Sequence, residues 1–165
     1  MFDRETLDLA ERVLAQCRAR GWRLATAESC TGGLVAAALT AIAGASDVVE
    51  RGFFTYSNAA KTDLLGVPAE TIAAHGAVSA QTAAAMARGA VARAPVDLAV
   101  SVTGITGPGG ATPQKPLGLV YFGIARKDGA ASVERSHLSG TDRAEIRHAA
   151  VRRALHLLAT ESGAA

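Results

Sequence analysis

Residues Gly104 to Gly118 hold five of the chain's 17 glycines and three of its five prolines, too many breakers for any helix or strand. A loop of this length within a compact domain is ordinarily either functional or disordered. It also divides the chain into two patterns. Before it, short apolar runs alternate with alanine-rich helical stretches. After it, two strand-like runs are followed by one helix.

Leu7, Ala10, Val13, Leu14 and Cys17 recur at helical spacing, and Gly21 ends that helix. Trp22 to Ala27 reads as the first strand and Leu34 to Ile42 as the helix after it. Arg51 to Tyr56 reads as a second strand, then a short helix runs from Ala59 to Leu65 and stops at Gly66. Pro68 opens another short helix ending before Gly76, and Ser79 caps a long one over Ala80 to Arg93. Asp97 to Thr103 suits a buried central strand. Leu119 to Arg126 and Ala131 to Leu138 form a hairpin through Lys127-Asp128-Gly129. Asp142 starts the last helix, with Glu145 three residues on as in a capping box. The expected fold is a three-layer α/β/α sandwich around a mixed, mostly parallel sheet of about five strands, in a single domain over residues 1–165.

With 49% hydrophobic residues and 4% aromatics, the core must be built from Ala, Val, Leu and Ile. A chain of 165 residues buries roughly two-thirds of its unfolded surface. The net charge of +2, with arginines in the terminal helices and no interleaved aromatics, argues against nucleic acid as the main partner. Cys17 and Cys30 form neither a disulfide framework nor a metal spacing. Met1 to Glu5 is charged rather than signal-like, and no apolar run is long enough to span a membrane, so the cytoplasm is the expected location. The alanine-rich helix 80–93 would suit a homodimer.

The serine turn Thr26-Ala27-Glu28-Ser29-Cys30-Thr31-Gly32-Gly33 joins a strand to a helix. Amides at a helix start attract negative charge, so the turn can hold an oxyanion or a phosphate. A polar helix cap is the plainer reading. Ser29 is the leading nucleophile, but it needs a base. No histidine falls in a nucleophile–histidine–acid pattern. Cys30 is a rival nucleophile, because a helix N-terminus lowers a thiol's pKa. Lys61 sits in the first turn of the helix after the second strand, where a cation opposes the dipole. Dipole and burial would both lower its pKa and make it a base, with Tyr56 relaying the proton or positioning the ammonium. A solvated lysine beside a packed tyrosine is the alternative. Thr103, Gly104, Gly107, Gly109 and Gly110 offer free amides for a phosphate, with Lys115 downstream. No metal motif is present.

TAESCTGG (26–33), GFFTYSNAAK (52–61), HGAVS (75–79) and TGITGPGGATPQKPLG (103–118) resemble the CinA C-terminal domain family, in order and across nearly the whole chain. Standalone members of that family are nicotinamide-nucleotide amidases. The resemblance implies a serine–lysine amidohydrolase that turns nicotinamide mononucleotide and water into nicotinic acid mononucleotide and ammonia, in pyridine-nucleotide salvage, without a cofactor. Carried over by motif, Ser29 is the nucleophile, Lys61 the base and Tyr56 the accompanying tyrosine. Cys30, Thr31, Gly32 and Gly33 would hold the oxyanion, and the glycine loop with Arg143 would hold the phosphate or ribose. Ala111 stands where the family commonly has glycine. The other readings are a nucleotide-binding module without catalysis, in a competence or DNA-damage setting, and an amidase for another small amide.

Overall fold

A computed structural model of the chain describes residues 2–163. Along the chain run α1 (Arg4–Arg20), β1 (Leu24–Glu28), α2 (Leu34–Thr40), a 3-10 turn (Ala45–Asp47), β2 (Val49–Phe54), α3 (Asn58–Leu65) and α4 (Ala69–His75). They continue with α5 (Ala80–Arg93), β3 (Leu98–Gly104), β4 (Leu119–Arg126), β5 (Ala131–His137) and α6 (Arg143–Gly163). The strands form one sheet in the order β2-β1-β3-β4-β5. β1 pairs parallel with β2 and β3, while β4 runs antiparallel to both its neighbours, β3 and β5. Four of the five strands therefore point the same way, as the alternating pattern predicts.

The two faces of the sheet differ in side-chain size. Leu98, Val100 and Val102 of β3, with Val120, Phe122 and Ile124 of β4, meet α1, α2 and α6 in one apolar cluster. The alternate residues are small: Ala25, Ala27 and Ala99 face α3, α4 and α5, packed with Leu65, Met86 and Ala90. Small residues let α5 lie close to the strands. Ser101 Oγ reaches the Ala83 carbonyl at 2.6 Å, and a Cβ on Gly123 would come within 2.4 Å of that same oxygen.

The helix ends follow local chemistry. Asp3, Ser57 and Ser79 cap α1, α3 and α5 through their side chains, and Gly21 and Gly66 take the left-handed conformation that ends α1 and α3. The expected strand Arg51–Tyr56 starts two residues earlier in the structure. The 3-10 turn returns the chain early enough for Val49 to pair with Leu24, and Tyr56 leaves the sheet to begin the approach to α3. Among the described residues no helix is long and apolar enough to cross a membrane.

Candidate active site

β1, β2 and β3 end side by side, and the crevice beyond their carboxyl ends is where open α/β sheets place ligands. Ser29 leaves β1 with its amide bonded to the Val102 carbonyl at 2.9 Å, and the Thr55 amide bonds the Glu28 carbonyl at 2.8 Å. These bonds bring the first residues after β1 and β2 together. The Ser57 cap then starts α3, which directs Lys61 back at Ser29.

Lys61 is 1% exposed. Its Nζ lies 3.1 Å from Ser29 Oγ, 2.8 Å from the Thr55 carbonyl and 3.2 Å from the Tyr56 carbonyl. No carboxylate is among these partners. Burial pushes the Lys61 pKa below the 10.5 of an ordinary lysine, because the interior disfavours the ammonium.

Three expectations need correction. Cys30 is buried and its thiol is pushed up to about 12 by that burial, with the nearby Glu28 charge acting the same way. It is not a thiolate nucleophile at neutral pH. The phenol of Tyr56 does not face Lys61: the side chain is 57% exposed, and its hydroxyl accepts a 3.1 Å hydrogen bond from Arg143. Tyr56 meets Lys61 through its backbone carbonyl. Third, the amides at the start of α2 are not open to a ligand. Glu28, 1% exposed, accepts from the amides of Gly33, Val35 and Ala36 at 3.0, 3.0 and 2.9 Å, and from Thr26 Oγ1 at 3.1 Å. Gly32 donates to the Ser29 carbonyl at 3.1 Å. The protein's own carboxylate thus occupies the positive helix end, and the donors left in the turn are the Cys30 and Thr31 amides.

The glycine loop covers the other side. Ser29, Cys30, Tyr56, Gly104, Thr106, Gly107, Gly109, Gly110 and Arg143 line a cavity of about 180 Å³. Arg143 donates to Thr106 Oγ1 at 3.0 Å and to the Gly107 carbonyl at 2.6 Å. Thr103 turns away and donates to the Ala77 carbonyl at 2.8 Å. Lys115 is a tether, its Nζ 2.9 Å from the His75 carbonyl at the end of α4. A larger groove of about 810 Å³ runs between α3, α4 and α5, lined by Leu65, Ala84, Arg88 and Arg93 and holding neither Ser29 nor Lys61.

Sequence reasoning missed Glu28 and Arg147. Arg147 Nε donates to the Cys30 carbonyl at 3.1 Å and its Nη2 to the Thr31 carbonyl at 2.8 Å. The only sequence signal was its position one helical turn after Arg143.

Fold and site together define a three-layer α/β/α domain with a buried serine–lysine pair at the carboxyl end of its sheet. The chain belongs to the CinA C-terminal domain family, whose model matches residues 6–162. It is 48% identical over 158 residues to the nicotinamide-nucleotide amidohydrolase PncC of Escherichia coli (strain K12), covering 96% of this chain and 95% of that protein. It is 55% identical over 138 residues to a CinA-like protein of Mycolicibacterium gilvum, where the match takes in 84% of this chain and spans about a third (32%) of the relative's length. The crystal structure of the competence/damage inducible protein CihA from Agrobacterium tumefaciens superposes with a TM-score of 0.96 at 46% identity, covering 99% of each chain.

Proposed function

We propose that the protein hydrolyses the carboxamide of nicotinamide mononucleotide to nicotinic acid mononucleotide and ammonia through Ser29 and Lys61, as a step of pyridine-nucleotide salvage that supplies NAD. The observation that carries this reading is the 3.1 Å approach of a buried lysine amine to a serine hydroxyl. The name and near full-length match of the Escherichia coli amidohydrolase support the choice of substrate.

A neutral amine has two N–H groups and one lone pair. The carbonyls of Thr55 and Tyr56 take the two donors, which leaves the lone pair for Ser29. Lys61 then removes the Ser29 proton as Oγ attacks the carboxamide carbon. The amides of Cys30 and Thr31 hold the developing oxyanion, and one such donor is typically worth about 3 kcal/mol. The leaving nitrogen must depart as ammonia, so protonated Lys61 returns its proton there. Water attacks the acyl-serine by the same route in reverse, with Lys61 again the base.

The cavity volume sets the placement of the rest of the substrate. At about 180 Å³ it is smaller than the roughly 300–1,000 Å³ of sites that enclose a drug-sized ligand. It admits the carboxamide and its ring, while the ribose phosphate lies across the mouth. There Gly107, Gly109 and Gly110 supply backbone and Arg143 supplies positive charge, with the exposed Tyr56 phenol holding Arg143 in place. A Cβ on Gly109 or Gly110 would meet nothing within 4 Å, so the backbone there is open to a phosphate.

The deciding experiment measures ammonia release from nicotinamide mononucleotide by the wild type and Ser29→Ala. Turnover by the wild type and its loss in the variant are expected. Near-normal release by Ser29→Ala would remove Ser29 from the reaction.

A further inference from the structure

Arg147 lies in the second turn of α6 and does not line the cavity, yet it holds two successive carbonyls of the serine turn, those of Cys30 and Thr31. A trans peptide points its C=O and its N–H in opposite directions. Holding the Cys30 carbonyl on the α6 side therefore turns the Thr31 N–H away from α6. Holding the Thr31 carbonyl fixes the next peptide plane in the same way, and its Gly32 N–H closes the turn on the Ser29 carbonyl at 3.1 Å. The guanidinium needs a glycine at position 32: the backbone there has φ +65°, and a Cβ would lie 2.9 Å from Arg147 Nη2.

We infer that Arg147 is a positioning residue for the acyl-transfer step: its fork on the Cys30 and Thr31 carbonyls aims the Thr31 amide at the oxyanion formed when Ser29 attacks. The inference rests on the reading of Ser29 as nucleophile. Arg147 and Arg143 divide the work on one helix face. Arg143 holds the glycine loop through Thr106 and Gly107, and Arg147 holds the turn that carries the nucleophile. A lysine at 147 would keep the charge but lose the planar fork that spans two carbonyls.

The test follows covalent labelling of Ser29 by a fluorophosphonate, read by intact mass. The serine oxygen displaces fluoride at phosphorus, and the phosphoryl oxygen must sit in the oxyanion position. In Arg147→Lys and Arg147→Ala the labelling rate constant is expected to fall about 10- to 100-fold, less than or equal to the loss of a whole oxyanion donor. Added guanidinium should recover part of the loss in Arg147→Ala. In turnover of nicotinamide mononucleotide, kcat should fall by a similar factor, with KM within about twofold and the pH midpoint unmoved, since the contacts of Lys61 are untouched. Labelling at the wild-type rate in both variants overturns the inference, as does a loss that lies wholly in KM, which would make Arg147 a substrate-binding group. Circular dichroism melts identify a misfolded Arg147→Ala, in which case Arg147→Lys decides. If the wild type labels at Ser29 but releases no ammonia from the nucleotide, the substrate assignment fails and the labelling comparison still judges Arg147. If the wild type resists the probe, both fall.

Discussion

Lys61 illustrates how one residue can be costly to the fold and useful to the site. Burial holds its pKa below the 10.5 of a free lysine, so between the two values the unfolded chain binds more protons than the folded one. Stability relative to Lys61→Met should therefore rise as pH climbs from the folded pKa towards 10.5, and level off above it. Urea titrations of the two proteins across that range check the sign. Activity should follow the same titration: kcat/KM rises with pH on a limb whose midpoint lies below 10.5. Lys61→Met should lose that limb and about 10²- to 10⁴-fold in rate, the usual contribution of a general base. The thiols make an opposite prediction. Cys30 is held at about 12 and Cys17 at about 11, both by burial, so iodoacetamide at neutral pH should modify neither until the protein is denatured, as mass spectrometry would show.

At this scale Ser29 and Lys61 were legible as separate candidates, and it was the family's motifs that joined them into a pair. A serine follows a strand, and a lysine occupies a helix start that favours acids. Glu28 and Arg147 were not legible. Their partners are backbone groups, which every residue carries, and the bond from Arg147 to Cys30 spans 117 positions. The thiol of Cys30 was misread for a related reason. The helix dipole is visible in sequence, but the burial that outweighs it is a property of the packed core.

Among the elements, α2 depends most on a group outside itself. It has seven residues, too few to persist alone, and Gly33 offers no side chain to cap it. Glu28 at the end of β1 supplies that cap with three amide bonds. A capping box looks from the cap residue forward to its third helical position, so a carboxylate reaching in from the preceding strand leaves no such signature. Glu28→Gln keeps the shape but has one acceptor oxygen and no charge. It should cost about 1–3 kcal/mol in urea denaturation, the range for buried donors left unpaired. It should also slow turnover, because the serine turn hangs between Glu28 and α2. At the other end of the site, α6 was expected from its capping box. Asp142 does accept the Glu145 amide at 2.9 Å, while the Glu145 carboxylate returns to the Thr141 amide at 2.7 Å, one residue earlier than the motif implies.

The molecule as a whole is an uneven sandwich, and the unevenness decides what its core tolerates. Phe122, fully buried on the α1, α2 and α6 side, should cost about 3–5 kcal/mol when changed to alanine, through lost transfer energy and the cavity left behind. On the α5 side the opposite change is harmful. Gly123→Ala places a Cβ within 2.4 Å of the Ala83 carbonyl and should cost about 1–3 kcal/mol by overpacking. Chemical denaturation midpoints measure both. Alternation of strand and helix, followed by a hairpin, was enough to read the layers and the mixed sheet. The strand order was not readable, since it depends on which side each crossover takes. The depth of the two layers follows only once β3 is seen to alternate large and small residues between opposite helices.

The fork of Arg147 also has a consequence in time. Ser29 and Lys61 are 32 positions apart, so a growing chain holds both early. A ribosome that has just made Cys30 must add 117 more residues before the guanidinium that holds its carbonyl exists. Ser29 is thus among the first parts of the site to be made and the arginine that holds its turn among the last, and a nascent chain carries Ser29 and Lys61 without that fork through most of its synthesis.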